Sequence, residues 1–148
     1  MATWFELGTD GPTKILVGLD GSETSLHAGA YAVGMARRQG SHLIALYVAS
    51  LGGLAAGIAS TAGALIEAHD DIAKELRAQV EEGCRRFGVP MSFVQRRGNP
   101  YLELVRVATE LRVDAIVVGA SMQSGHRLVG SLAGRLVRDA KWPVTVVP

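Results

Sequence analysis

Three glycines and a serine between residues 119 and 131 form the pattern in this chain that is most typical of ligand binding. An apolar run ends at Gly119, Gly125 and Gly130 interrupt the segment that follows, and Ser131 stands where a new helix needs its N-cap. Such a loop directs backbone N–H groups and a helix N-terminus toward one point, which favours an anion, above all a phosphate. The same glycines also suit a surface loop leading into a capped helix, so both interpretations stay open.

Other kinds of chemistry find little support in the sequence. The chain has four histidines, and each stands alone without a second ligand at helical or strand spacing, so no metal site is predicted. No Gly-x-Ser-x-Gly motif marks a hydrolase nucleophile. No Gly-Lys-Ser or Gly-Lys-Thr supplies the lysine that usually counters β and γ phosphate charge.

Five short apolar runs alternate with helical patterns along the chain. The runs cover residues 14–20, 41–48, 91–96, 115–118 and 144–147. Most are continuously apolar, which indicates strands covered on both faces, and this rhythm predicts one parallel α/β sheet built from right-handed crossovers. In such sheets ligands lie beyond the carboxyl ends of the strands, where the strand order reverses. We therefore expect the turn after the first strand, at Asp20, to face the loop that begins at Gly119.

The helices between these strands carry recognisable start signals. Asp20 with Glu23 three residues later fits a capping box, and Asn99 with Pro100 fits a cap followed by proline at the first helical position. The long second helix is expected from about Ile66 onward, after a small-residue loop. The apolar positions of the first, second and last helices predict inward faces, which include the following residues: Leu26, Ala30, Val33, Ala36, Ile72, Leu76, Val80, Cys84, Phe87, Leu132, Leu136 and Val137.

Composition narrows the class of protein. The chain has 148 residues, of which 48% are hydrophobic and 20% charged, as in a folded globular domain. A net charge of +1 excludes a strong electrostatic attraction to nucleic acid or an anionic membrane. Residues 43–66 carry no charge, but their second half is too rich in glycine and alanine for a membrane span. The single cysteine, Cys84, and the absence of a secretory signal pattern predict a cytoplasmic protein.

Five segments in the right order resemble the universal stress protein family. They are Lys14-Ile-Leu-Val-Gly-Leu-Asp-Gly-Ser, Gly98-Asn-Pro, Asp114-Ala-Ile-Val-Val-Gly, Gly130-Ser and Trp142-Pro-Val-Thr-Val-Val. The resemblance covers residues 14–148 as one domain and leaves residues 1–13 as an N-terminal extension. It implies a Rossmann-like fold with a five-stranded parallel sheet in the order 3-2-1-4-5 and helices on both faces. It also implies a homodimer and, in one branch of the family, an ATP site.

The resemblance assigns roles to particular residues. Asp20 matches the acid that contacts the nucleotide, although a helix cap explains it equally well. Val48 matches the position whose backbone meets adenine, although a core valine is the better explanation. The segment that binds phosphate and ribose in that branch matches the following residues: Gly119, Gly130, Ser131 and Leu132. Gly125 and Arg127 are added as residues that replace a missing glycine and supply positive charge.

The glycine loop departs from the family pattern in its middle. That pattern is glycine, two residues, glycine, nine residues, then glycine with serine or threonine. Here Met122 holds the place of the second glycine, and seven residues rather than nine separate it from Gly130. A Cβ at this point obstructs the close backbone approach that phosphate needs.

Two hypotheses follow. The first is a regulatory protein of the stress response that binds ATP or another adenine nucleotide, with Mg²⁺, and is not an enzyme beyond at most a slow ATPase. The second is a homodimeric interaction protein of the same family without a nucleotide site. Both predict a dimer through the apolar edge strand Val144–Val147 and unidentified regulatory protein partners, with no nucleic acid and no membrane.

Overall fold

The computed structural model describes residues 11–50, 59–120 and 132–148. Strands and helices alternate in the order β1 (Lys14–Leu19), α1 (Glu23–Gln39), β2 (His42–Ala49), α2 (Ala59–Phe87), β3 (Met91–Arg97), α3 (Pro100–Glu110), β4 (Ala115–Gly119), α4 (Leu132–Asp139) and β5 (Val144–Val147). The strand positions predicted from the apolar runs are confirmed to within about one residue at each end.

The five strands form one parallel sheet in the order β3-β2-β1-β4-β5. This confirms the predicted fold class and strand order. β1 lies at the centre, pairing Ile15 with Leu43 of β2 on one side and with Ala115 of β4 on the other. The strand order reverses between β1 and β4, so the carboxyl ends of these two strands define the switch point where ligands bind in such sheets.

A hydrophobic core covers each face of the sheet. One cluster joins β1 and β2 to α1 and α2, with Ile15, Leu43 and Leu76 among its buried members. The other joins the opposite face to α3 and α4, with Leu104 and Leu136 at its centre. Because both faces are covered, the central strands are apolar at nearly every position instead of alternating.

Five predicted inward positions are wrong, because their side chains are exposed: Leu26, Ala30, Ile72, Phe87 and Val137. In α1 the buried face consists of small residues such as Ala28, Gly29 and Ala32, which allow the helix to approach the sheet closely.

α2 also begins earlier than expected, at Ala59 rather than near Ile66. Part of the segment predicted to be a loop is therefore helical. The alanines in this segment explain the extension, because alanine has the highest intrinsic helix propensity.

At the amino ends of the strands, Asp114 ties β4 to the residues that begin β1. Its Oδ2 atom accepts hydrogen bonds from Thr13 N at 2.9 Å, Thr13 Oγ1 at 2.8 Å and Lys14 N at 2.9 Å. The Thr13 hydroxyl is the main cause that lowers the pKa of Asp114, with smaller contributions from the backbone N–H groups and the Lys14 charge. The carboxylate therefore links the start of β4 to the start of β1.

Asp114→Ala is expected to lower the free energy of unfolding by about 1.5 kcal/mol near neutral pH, because hydrogen bonds to a charged group are lost from an exposed position. A group with a lowered folded pKa stabilises the protein above its unfolded pKa of about 3.9 and loses that effect as the pH falls through the folded value. Urea denaturation at several pH values measures this. The difference from wild type should shrink below about pH 4, and a difference independent of pH contradicts the assignment. Exposed Asp71→Ala is the control, with a change under about 0.5 kcal/mol.

Among the residues that the structure describes, no helix is long and apolar enough to cross a membrane.

Candidate functional site

The turn after β1 positions Asp20 at the switch point. Asp20 is exposed, and its Oδ1 atom accepts a hydrogen bond from Ser22 N at 2.8 Å. Gly21 has φ +85°, a left-handed conformation that suits glycine. The N-cap of α1 is Ser22, whose side chain accepts from Ser25 N at 3.2 Å. The predicted capping box of Asp20 with Glu23 is therefore wrong, because the tight turn moves the cap two residues along and leaves the Asp20 carboxylate at the surface.

Side-chain hydroxyl groups of α1 form hydrogen bonds around the N-terminus of the helix. Ser25 Oγ donates to Ser22 O at 2.9 Å and accepts from Asp20 N at 3.3 Å. Thr24, which is only 6% exposed, donates its hydroxyl to Ala120 O at 2.7 Å, just beyond the end of β4. Ser22 Oγ thus satisfies the N–H of Ser25, one of the free donors of this helix N-terminus. α4, which follows β4, is the helix that the sequence predicts for phosphate.

Gly119 ends β4 in direct contact with α1. A Cβ at this position would lie 2.6 Å from Thr24 C, 2.7 Å from Ser25 N and 2.7 Å from Thr24 O. These are backbone atoms that cannot rotate away, so packing alone requires glycine here. The presence of Gly119 is thus explained by the approach of β4 to α1, independently of any ligand.

Val48 lies at the carboxyl end of β2 and has two distinct surfaces. Its side chain is half-buried against the core of α3 and α4. The bonds His42 N to Thr13 O and Leu43 N to Pro90 O establish the alternation along β2, so the N–H and C=O of Val48 point toward β1. Pairing with β1 stops at Leu19 opposite Tyr47. In this last pair of the ladder the N–H of Val48 donates to Leu19 O, so only the C=O of Val48 faces the space beyond the end of β1, next to the Asp20 turn.

The structure brings Asp20, Val48 and Gly119 together at the carboxyl ends of β1, β2 and β4. Leu132 begins α4, and its half-buried side chain packs against the second core cluster. The residue therefore has a structural role in addition to its predicted place beside the site. The other predicted site residues lie outside the described residues, as does Met122; they are Gly125, Arg127, Gly130 and Ser131.

Sequence reasoning missed a polar group beside this site. Tyr47, 3% exposed, places its hydroxyl 2.5 Å from His69 Nδ1 of α2. Next to it, Gln95 Nε2 donates to Asp70 Oδ1 at 2.9 Å. Burial is the main cause that raises the pKa of Tyr47, and the carboxylates of Asp20 and Asp70 raise it further. A tyrosine in an otherwise aliphatic strand was the available signal, since a buried phenol needs a hydrogen-bond partner.

Two other described histidines, His27 and His42, and one surface cavity have no contact with the candidate site. His27 Nδ1 lies 3.2 Å from Pro148 O, and His42 Nε2 lies 2.8 Å from Ser92 Oγ at the opposite end of the sheet. In the described part of the chain, no three metal-ligating side chains gather into a cluster. A cavity of about 380 Å³ beside Trp142 lies at the start of β5, away from the switch point.

The fold and the position of this site define a parallel α/β domain with its candidate binding site at the topological switch point. Residues 12–148 match the sequence profile of the universal stress protein family. The chain belongs to this family, as the sequence motifs predicted.

Related proteins cover nearly the whole chain. Universal stress protein MJ0531 of Methanocaldococcus jannaschii is 30% identical over 137 residues, which are 90% of this chain and 81% of that protein. The structure of UspA from Lactobacillus plantarum is 26% identical, with a TM-score of 0.75 over 92% of this chain and 97% of that one. A universal stress protein solved in complex with cAMP is 24% identical, with a TM-score of 0.73 over 93% and 97% of the two chains.

Proposed function

We propose that this protein is a cytoplasmic regulator of the stress response that binds an adenine nucleotide between the Asp20 turn and the segment joining β4 to α4. The observation that carries the proposal is the convergence of three strand ends at the switch point, with the exposed Asp20 carboxylate and the backbone of Val48 side by side. Family membership supports it. The cAMP complex adds that a protein of this fold has been solved with an adenine nucleotide.

Each group near the switch point would contact a different portion of the nucleotide. The C=O of Val48 would accept a hydrogen bond from the edge of the base. The N-terminus of α4, with Gly130 and Ser131 before it and Arg127 nearby in sequence, would take the phosphates. Mg²⁺ would accompany a triphosphate, because the sequence has no Walker lysine to counter its charge. Binding would act by changing contacts with partner proteins, and any hydrolysis would be slow.

Calorimetric titration with ATP, ADP and AMP tests the proposal. We expect binding at or below millimolar nucleotide by the wild type, and its loss in Gly130→Val, because a branched side chain blocks the backbone approach to phosphate. The control is Gly83→Ala in α2, where a Cβ meets only Val33 at 3.9 Å, an ordinary contact. Omitting Mg²⁺ should weaken ATP binding more than AMP binding. No binding of any of the three nucleotides by the wild type would refute the proposal.

The alternative function is a homodimeric interaction protein without a nucleotide site. The observation that favours it is the edge strand β5, whose four residues are all half-buried and which pairs only with β4 in the described sheet. An apolar edge of this kind is a template for a twin strand. Because the dimer is common to both functions, nucleotide titration decides between them and the oligomeric state tests what they share.

A further inference from the structure

α2 is longer than the strands it covers. It has 29 residues, whereas β2 has eight and β3 has seven. It runs antiparallel to them, since its last turn lies by the strand starts, where Val89 N donates to Cys84 O and Leu43 N donates to Pro90 O. His69 already lies level with the end of β2, at Tyr47. The ten helical residues before His69, about 15 Å of helix at 1.5 Å per residue, therefore continue beyond the level of Tyr47.

The extended part of α2, residues 59–72, is called the α2 arm here. Among the residues of α2 whose burial is described, from 63 onward, the buried apolar side chains begin at Ala73 and continue with Leu76, Val80 and Cys84. Between residues 63 and 72 no side chain is buried. With little apolar area to hold it, the arm belongs to the least stable part of the fold.

Polar contacts attach the arm to the sheet. The Tyr47 hydroxyl bonds His69, and Gln95 of β3 bonds Asp70, with the exposed Arg97 guanidinium 3.8 Å from the same carboxylate oxygen. The Tyr47 ring fills the core on its own, as a phenylalanine would, so its hydroxyl is not needed for packing. Since a buried phenol without a partner costs free energy, the hydroxyl holds His69 in place.

The end of the arm lies beside the Asp20 turn of the candidate site. Ile72, at its end, has a methyl group 3.7 Å from the position of a Cβ on Gly21, the residue after Asp20. The Tyr47 hydroxyl is close enough to Asp20 for that carboxylate to raise its pKa. The arm thus borders the same turn that offers Asp20 to a ligand.

We propose that the α2 arm is a wall of the nucleotide site and that Tyr47 and His69 are positioning residues that hold this wall in place. The inference rests on the proposed function for the identity of the ligand. Tyr47 and His69 do not touch the nucleotide; their hydrogen bond determines how often the arm is docked. Losing one buried hydrogen bond should shift the docking equilibrium about fivefold, and the nucleotide affinity with it.

Hydrogen exchange of the ligand-free protein tests the attachment of the arm. Tyr47→Phe should raise the exchange of amides 63–72 about fivefold and leave amides 76–87 unchanged. His69→Ala should do the same, and the double variant should exceed neither single variant, since both remove one bond. Tyr31→Phe, at a tyrosine on α1 that is 45% exposed, is the matched control without effect. Unchanged exchange in the arm, or an equal rise along the whole helix, overturns the proposal.

Calorimetry with ATP, ADP and AMP tests the wall. Tyr47→Phe should weaken binding about fivefold and Tyr31→Phe should not. If Tyr47→Phe raises the hydrogen exchange of the arm but leaves the nucleotide affinity unaltered, the arm is not a wall of the site. That outcome overturns the inference and leaves the proposed function intact. If the wild type itself binds none of the three nucleotides, the proposed function fails and the wall fails with it.

Discussion

Replacing Gly119 with alanine is expected to lower the free energy of unfolding by about 3 kcal/mol, the upper part of the range for overpacked cores. The added Cβ would lie 2.6 Å to 2.7 Å from backbone atoms of Thr24 and Ser25. Relief requires the end of β4 or the first turn of α1 to move. Such a movement also strains the bond from the Thr24 hydroxyl to Ala120 O, which joins the same two elements.

Chemical denaturation of Gly119→Ala beside Gly63→Ala measures this effect. Gly63 lies within α2 and a Cβ there meets nothing within 4 Å, so alanine should raise stability by about 0.5 to 1 kcal/mol through its helix propensity. Opposite signs for the same chemical change isolate the steric cause. A loss below about 1 kcal/mol in Gly119→Ala contradicts the close packing of β4 on α1.

This result also governs how binding experiments are designed. Gly119 matches the phosphate segment of the nucleotide-binding branch, yet its lack of a side chain is required by α1. Loss of nucleotide binding in a Gly119 variant would therefore report unfolding as readily as a lost contact. Gly130 is the better probe of the loop, with thermal unfolding measured alongside to show that the variant is folded.

The second large effect is expected at the free edge of β5. The bonds Ile116 N to Pro143 O and Ala120 N to Val147 O show that the odd-numbered residues of β5 face β4. The N–H groups of Val144 and Val146 therefore point to the open edge, where a twin strand would pair. Val146→Pro removes one of these donors and leaves the ladder to β4 intact, so we expect it to convert the dimer to a monomer.

Light scattering decides the outcome. The wild type should have twice the 15.6 kDa mass of the monomer, and Val146→Pro should have the monomer mass. Val146→Ala shortens the same side chain but keeps the N–H group, so it should remain a dimer. Thr145→Pro, which removes a donor facing β4, should instead lower stability. A monomeric wild type, or a dimeric Val146→Pro, would exclude pairing through this edge.

The two proposals place binding and assembly at separate parts of the fold. The candidate nucleotide site lies at the carboxyl ends of β1, β2 and β4, and the dimer edge lies on β5, which pairs with β4 at its far side. β4 thus belongs to both, ending at Gly119 beside α1 and bonding β5 along its length. A change at the nucleotide site could therefore reach the β5 edge through β4 alone.

The strands, their parallel arrangement, the cap of α3 and the family could all be predicted from the amino-acid sequence. These features depend on local patterns: continuous apolar runs mark buried strands, and Asn99 followed by Pro100 marks a helix start, where Asn99 Oδ1 indeed accepts from Leu102 N at 3.1 Å. The order 3-2-1-4-5 came from the family resemblance, because no local pattern specifies which strands are neighbours.

The packing of the elements was needed to show which groups near the site already stabilise the fold. The requirement for glycine at 119 arises from a helix almost a hundred residues earlier, and the partner of Tyr47 lies 22 residues away on another element. Hydrophobic periodicity shows which face of an element is inward but not which atom it meets there. For the same reason it placed five exposed side chains in the core, among them Leu26 on a helix whose buried face consists mainly of small residues.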